Sequence, residues 1–306
     1  MSSAPNRPPD HRGSRFFISP ILGCSARCSF CYIHSFDYRQ PRGVRNLYGV
    51  AASLDWIQGH ANFRPGRTGS IISIGAWGDP FPFDDPLAKS YSLDWLEAAC
   101  KTGNPVQIMS RFGLDLMTVG RIIEGQRFDR QVLFSSSLST VKQWKQIERY
   151  SSPPAERLRT LQLLAAGGVQ TSLMIKPFLP GITDRESFVI AELMIEHDLR
   201  LCVIGDFFYD DKIMRTNDAV SGMPVEQMLK LSSANIGNPL DCSSESEFVT
   251  VESTQIPNFI RDLWRAGIAA FRKSACVNAW ILQQDMDLKR LPELAGHCVE
   301  CGLCNT

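Results

Sequence analysis

Pro153-Pro-Ala-Glu-Arg-Leu-Arg-Thr-Leu-Gln-Leu-Leu-Ala-Ala166 runs into Gly167-Gly-Val169 and then Gln170-Thr-Ser-Leu-Met-Ile175. The first part is helix-length, the glycine pair is a stop, and the last part is a short apolar run of strand length. A helix feeding a buried strand through a tight turn is the repeating unit of a parallel α/β sheet. The unit recurs on both sides. Strand-like runs occur at Phe16–Leu22, Ile71–Trp77, Val106–Met109, Val132–Ser135, Gln170–Ile175 and Leu201–Phe207. Helix-length segments lie between them at Arg45–Gln58, Leu87–Cys100, Leu114–Glu124, Pro153–Ala166 and Ser187–His197. This alternation predicts an α/β fold with helices outside a parallel sheet. Ser152-Pro153 and Thr183-Asp-Arg-Glu186 read as helix starts, the latter as a capping box. After Asp210 the pattern loosens: Ser232–Ser246 reads as loop and Ile256–Phe271 as helix. The expected organisation is a flexible leader at 1–14, a core at 15–210 and an extension at 211–306.

Composition narrows the class. The 306 residues are 44% hydrophobic and 21% charged, enough apolar material for a sizeable core. Lys and Arg number 32 and Asp and Glu 32, so no global field draws the chain to nucleic acid or an anionic membrane. No segment approaches the roughly 20 apolar residues of a membrane span, and Met1 to Gly13 is polar and proline-rich, unlike a signal peptide. A cytoplasmic protein is expected. Its ten cysteines then stay reduced, which favours metal binding over disulfides.

The cysteines fall into two motifs. Cys24, Cys28 and Cys31 form a C-x3-C-x2-C loop directly after the first strand. Three thiolates on one short loop hold three irons of a [4Fe-4S] cube and leave the fourth iron without a protein ligand. A zinc site with His34 as fourth ligand, or three buried cysteines, are the alternatives. Cys298, Cys301 and Cys304 form a C-x2-C-x2-C run near Thr306, the pattern of a ferredoxin-type [4Fe-4S] site or of a zinc knuckle. Cys276, Cys242 or His297 are candidates for its fourth ligand.

The first loop, with Phe30 before Cys31 and Tyr32 after it, resembles the signature of the radical S-adenosylmethionine (SAM) superfamily. The resemblance implies a partial TIM-type (β/α)6 barrel, here followed by a C-terminal metal-binding extension. It also implies reductive cleavage of SAM at the [4Fe-4S] cluster to a 5'-deoxyadenosyl radical that abstracts hydrogen from a substrate. Further segments are similar to the spore photoproduct lyase-like branch. Gly75-Ala-Trp77-Gly78-Asp79-Pro80-Phe81 resembles its Thr-Asp-Pro-Tyr type segment and implies that Trp77 and Asp79 adjoin SAM, Asp79 on the ammonium. Met109-Ser110-Arg111 resembles a Thr-Lys-Ser stretch and implies Arg111 on the SAM carboxylate. Phe134-Ser-Ser-Ser137 implies a hydrogen bond from Ser137, and the end of the fifth strand implies Met174 or Ile175 beside adenine. Tyr32 joins the cofactor-binding set, and Asp206 near the end of the sixth strand is the candidate catalytic or substrate-contact residue.

Pro-Gly-Ile at 180–182 continues the likeness, which spans about 15–208. There is one departure: the branch carries a hydrogen-donating cysteine beyond its cluster motif, and no cysteine lies between Cys31 and Cys100. The expected cofactors are SAM, a catalytic [4Fe-4S] cluster and a second, auxiliary one. The expected partners are a low-potential flavodoxin- or ferredoxin-type electron donor and a small-molecule or peptide substrate, with no membrane and no duplex nucleic acid. A nucleic-acid lesion lyase and a non-catalytic iron-sulfur or zinc protein are the competing readings.

Overall fold

In the computed structural model the described residues are 6–12, 15–35, 43–82, 85–230, 232–236 and 249–281. An eight-stranded sheet runs in chain order. Its strands are β1 (Asp10–Arg12), β2 (Arg15–Ile18), β3 (Ile71–Ile74), β4 (Val106–Ser110), β5 (Val132–Ser137), β6 (Gln170–Ile175), β7 (Leu201–Ile204) and β8 (Ala269–Phe271). Only the β1–β2 pair is antiparallel; every other neighbouring pair is parallel. Helices α1 (Val50–Gln58), α2 (Pro86–Lys101), α3 (Leu116–Gly125), α4 (Pro154–Ala166) and α5 (Ser187–Glu196) occupy the successive crossovers from β2 to β7. α6 (Asp211–Ser221) and α7 (Ile256–Arg265) precede β8, and α8 (Ser274–Ile281) follows it. The fold is α/β, a partial TIM-type barrel.

Side chains alternate across each strand, and the two faces have different chemistry. Phe16, Ile72, Ile108, Phe134 and Ile175 point outward and pack against the helix layer through residues such as Leu96, Ile122, Leu161 and Met194. The inner face is polar near its centre. Arg15 Nε donates to Ser73 Oγ at 3.0 Å and its Nη2 to Gln107 Oε1 at 2.8 Å, and the hydroxyls of Ser135 and Ser172 share a 2.8 Å bond. Leu133, Met174, Val203 and Phe271 form an apolar patch on that face, covered by Cys276, Val277 and Ile281 of α8.

Several expectations change on contact with the structure. The first strand breaks at Ser19-Pro20, leaving Arg15–Ile18 in the sheet and Ile21–Leu22 in a small hairpin with Val44–Arg45. The third strand ends at Ile74 because Gly75 adopts φ 102, and the run Leu201–Phe207 divides at Gly205-Asp206. Ser232–Ile236 is not loop but a strand, paired with Val249–Ser253, which also pairs with Phe207–Tyr209. Ile256–Phe271 is helix only to Arg265; Gly267 at φ 79 reverses the chain, and β8 pairs parallel with β7. Residues beyond 210 therefore complete the main sheet.

The proposed capping box is absent. Thr183 Oγ1 instead donates to Ser139 O at 2.7 Å, and buried Glu186 accepts from Thr140 Oγ1, Val141 N and Lys142 N. The two side chains tie the β5 exit loop to the segment before α5. At α4 the first residue is Pro154 and the flanking residue Pro153, so Ser152 does not cap; its hydroxyl accepts from Gly113 N at 2.9 Å. Asp85, Asp115 and Asp210 are the working caps, each accepting a backbone N–H of the helix that follows.

Candidate active site

The C-terminal ends of parallel strands collect the loops that carry chemistry in barrels of this kind. Here the loop after β2 brings Cys24, Cys28 and Cys31 to that end. Cys24 and Cys28 are 9% and 6% exposed, and Cys31 is half-buried. Backbone contacts define the loop. Gly23 at φ 83 donates to Trp77 O at 2.8 Å, Ser29 N donates to Ile147 O at 2.8 Å, and Tyr150 N donates to Ala26 O at 3.1 Å. Ser29 Oγ donates to Asn217 Oδ1 on α6, again at 2.8 Å. Gly23 and Gly78 approach as an isolated parallel bridge. A Cβ on Gly78 would lie 2.4 Å from Gly23 O and 2.5 Å from Ile21 O, so only glycine lets the segment after β3 reach the cysteine loop.

The thiols share one electrostatic environment. Burial pushes the Cys28 thiol up to about 12, with Arg111 opposing and Glu148 and Cys31 reinforcing the rise. Burial likewise raises Cys24, aided by Asp79, Cys28 and Cys31. Three thiolates here need a cation to exist together, and a metal centre, if bound, would supply that charge. Among the described residues no group of three or more His, Cys, Asp and Glu side chains is arranged to hold a single metal ion. A cube takes each cysteine on a different iron, so its ligands need no such convergence. The donor set fits a [4Fe-4S] cluster.

Asp79 and Arg111 both stand beside this loop. Asp79 is bound by its own surroundings: Oδ1 accepts from Ser110 Oγ at 2.7 Å and Phe81 N at 3.0 Å, and Oδ2 from Arg111 N at 2.7 Å. Burial raises its pKa against these hydrogen bonds. A carboxylate offers about four acceptor positions, so room for one further donor remains. The Arg111 guanidinium lies 4.8 Å over the Phe30 ring, donates to Lys176 O and pairs with Glu148 Oε1 at 2.9 Å. Glu148 also pairs with Arg157, and both of those side chains are 0% exposed. A single carboxylate, Glu148, thus sits between two guanidiniums on the Cys28 side of the loop, with Asp79 on the Cys24 side. Glu148 escaped the sequence reading because a Glu-Arg-Tyr run reads as a solvated surface, and Arg157 lay in a stretch similar to the branch's Pro-x-Arg-Leu without a role assigned to it.

The remaining candidates separate. Tyr32 donates its hydroxyl to Ala76 O at 3.0 Å and meets Trp77 edge-on. Trp77 already has partners: Nε1 donates to Asp10 Oδ2 at 2.6 Å, and the Arg7 guanidinium covers its ring at 3.7 Å. Ser137 donates to Lys176 O at 3.2 Å. Met174 and Ile175 point to opposite faces and neither is open: Met174 is enclosed in the cluster that α8 completes, and Ile175 in the outer core. The next inward position, Lys176, is the one that reaches the mouth. Asp206 is ion-paired with Arg272 after β8. Cys276 is buried in the inner apolar cluster. Cys242, His297, Cys298, Cys301 and Cys304 lie outside the described residues. Among the described residues no helix is long and apolar enough to cross a membrane.

This parallel, partly closed barrel shares its fold with solved structures of spore photoproduct lyase and of a radical SAM methyltransferase. Spore photoproduct lyase, complexed with dinucleoside spore photoproduct, matches 83% of this chain and 75% of its own at TM-score 0.61 and 13% identity. A variant of that enzyme with bound AdoMet and dinucleoside spore photoproduct matches at 0.61 and 13%, over 84% and 76%. The radical SAM methyltransferase TsrM from Kitasatospora setae, with tryptophan and a SAM analogue bound, matches at 0.51 and 12%, over 83% of this chain and 52% of its own. In sequence, uncharacterized proteins of Mycobacterium tuberculosis and Mycobacterium bovis are 22% identical over 177 residues. That match takes in 56% of this chain and 51% of theirs, so it spans about half the length of these relatives. No family model matches the chain.

Proposed function

We propose that this protein is a radical SAM enzyme acting on a small-molecule or peptide substrate, with Cys24, Cys28 and Cys31 holding its cluster. The observation that carries this reading is the meeting of the buried three-cysteine loop with Asp79 and Arg111 at the C-terminal end of the barrel. A [4Fe-4S] cluster bound there supplies the electron that cleaves SAM to the 5'-deoxyadenosyl radical used for hydrogen abstraction. The chain's own groups position and exclude. Asp79 offers an acceptor for the SAM ammonium, and Arg111, held from behind by Glu148, offers a donor for its carboxylate. Ser137 and Tyr32 line the approach through hydroxyls that are anchored to backbone carbonyls. The enclosed apolar cluster beneath α8 keeps water from the lower part of the barrel.

Electrons come from a low-potential flavodoxin- or ferredoxin-type donor, and the protein works in the cytoplasm. The tail cysteines Cys298, Cys301 and Cys304 hold a second, auxiliary cluster. A lesion lyase is the competing reading because spore photoproduct lyase shares the fold. The test is anaerobic reconstitution with iron and sulfide, followed by reduction and measurement of 5'-deoxyadenosine. The Cys24/Cys28/Cys31 triple alanine variant should form none. SAM cleavage by that variant, or none by the parent chain, would overturn the assignment.

A further inference from the structure

A second charged group stands at the barrel mouth, joined to Arg111 and Ser137 through Lys176 O. Lys176 follows β6, Asp206 follows β7 and Arg272 follows β8, so three neighbouring strands deliver them to the same end of the sheet. The Lys176 stem lies flat across Gly205: a Cβ there would stand 2.3 Å from Cε and 2.5 Å from Cγ. Any side chain at 205 would displace the lysine. Arg15, Arg272 and Lys273 act against the Lys176 ammonium, and Asp206 acts in its favour. Asp206 is itself committed to Arg272. Among the described residues no carboxylate makes an ion pair with Lys176.

The polar centre of the inner face also holds a donor without an acceptor. Gln107 Oε1 accepts from Arg15 and Ser73, while its buried Nε2 has no hydrogen-bond partner. A buried amide donor without an acceptor and a lysine without a carboxylate partner are both costly unless an acceptor arrives. Burial and the neighbouring cations pull Lys176 down to about 8, the direction expected of a cation site awaiting an anion.

We infer that Lys176 and Arg272, with Arg15 and Gln107 behind them, form the site for an anionic group of the substrate, a carboxylate or a phosphate. The inference rests on the radical SAM reading and deepens it by naming the substrate class: a compact acidic molecule, gripped at its charged end. Asp206 is a positioning residue, aligning the Arg272 guanidinium. Arginine presents two parallel donors to either anion, and lysine adds a point charge.

The experiment titrates the reconstituted full-length protein, saturated with SAM, with inorganic phosphate and separately with succinate. Lysines carry 13C-dimethyl labels, and the resonance missing from Lys176→Arg identifies residue 176. That resonance should shift saturably with phosphate, with succinate or with both, and the better probe assigns phosphate or carboxylate. Isothermal titration of the same probes should show binding roughly ten- to a hundredfold weaker in Arg272→Met and in Lys176→Met, the loss of one charged hydrogen bond. Lys176→Arg keeps the charge and should restore binding to within a few-fold. Asp206→Asn should weaken the anion and, because the carboxylate that favours the Lys176 ammonium is gone, also shift the Lys176 resonance in the anion's absence.

Failure of both anions to move the resonance, or equal binding by Arg272→Met, would overturn the inference. Displacement of the anion by SAM would also overturn it, by giving the site to the cofactor. Production of 5'-deoxyadenosine is measured in parallel. Its absence with intact anion binding counts against the radical SAM reading alone, and its presence without anion binding counts against this one.

Discussion

Replacing Glu148 by Gln tests the charge arrangement under the cysteine loop. Glu148 and Arg157 are both 0% exposed and Arg111 is 16% exposed, so water screens little of this network. At the 2.9 Å Arg111–Glu148 separation, and an effective dielectric of 20, the attraction is about 6 kcal/mol before desolvation is deducted. Gln keeps the volume and the acceptor for Ser139 N, but leaves two guanidiniums facing one another. Breaking one partner of a buried pair costs about 3–5 kcal/mol, a large share of the roughly 5–15 kcal/mol that holds a domain folded. Urea unfolding of the reduced, metal-free chain, followed by tryptophan fluorescence, should show that loss with an unchanged denaturant slope.

The second readout is chemical. Glu148 raises the Cys28 pKa and Arg111 lowers it, so Glu148→Gln should bring the Cys28 thiol down from about 12 and speed its alkylation at a fixed alkaline pH. A loss below about 1 kcal/mol, the range of an exposed pair, together with unchanged alkylation, would refute the triad as a buried electrostatic unit. An additive Glu148→Gln/Arg157→Met double variant would refute it as well, since side chains in contact should couple.

Three other outcomes follow from particular residues. Gly78→Ala places a methyl group 2.4 Å from a backbone oxygen that cannot swing aside, and should cost about 1–3 kcal/mol and lower the iron bound after reconstitution; wild-type melting and iron content would contradict this. Lys176 loses its proton near 8 in the folded chain and near 10.5 when unfolded, so the unfolded state binds more protons between those values and stability should rise with pH there. Lys176→Met should abolish that part of the slope, and an identical pH profile would exclude it. The tail reading expects about eight irons per chain, falling to about four in the Cys298/Cys301/Cys304 triple alanine variant, as for two four-iron clusters; stoichiometric zinc in place of the second four irons would replace that reading.

Much of the core was legible because its signal is periodic. Gln170–Ile175 has the bounds read from the sequence, and five crossover helices appear within a few residues of expectation. What escaped lacks a local period. Ser-Ser-Ala-Asn-Ile at 232–236 is a strand by virtue of its partner Val249–Ser253, and the three residues of β8 are too few to alternate visibly. The site divides in the same way. Cysteine spacing announces itself along the chain, whereas Glu148, Arg157, Gln107 and Arg272 acquire their meaning from partners far away in sequence.

The late arrival of β8 has a consequence for how the molecule is made. Until residues 269–271 leave the ribosome, Leu201-Cys-Val-Ile204 is an open edge of apolar side chains with unpaired backbone groups on one side. Such an edge templates aggregation. The inner patch of Met174 and Val203 is uncovered over the same interval, because α8 follows β8 directly. The cysteine loop emerges early, yet its support by Asn217 on α6 is delivered only after the sheet is nearly finished. Support of the cysteine loop and completion of the edge thereby fall late in the same order of synthesis, and a nascent chain halted before residue 269 would present an exposed strand.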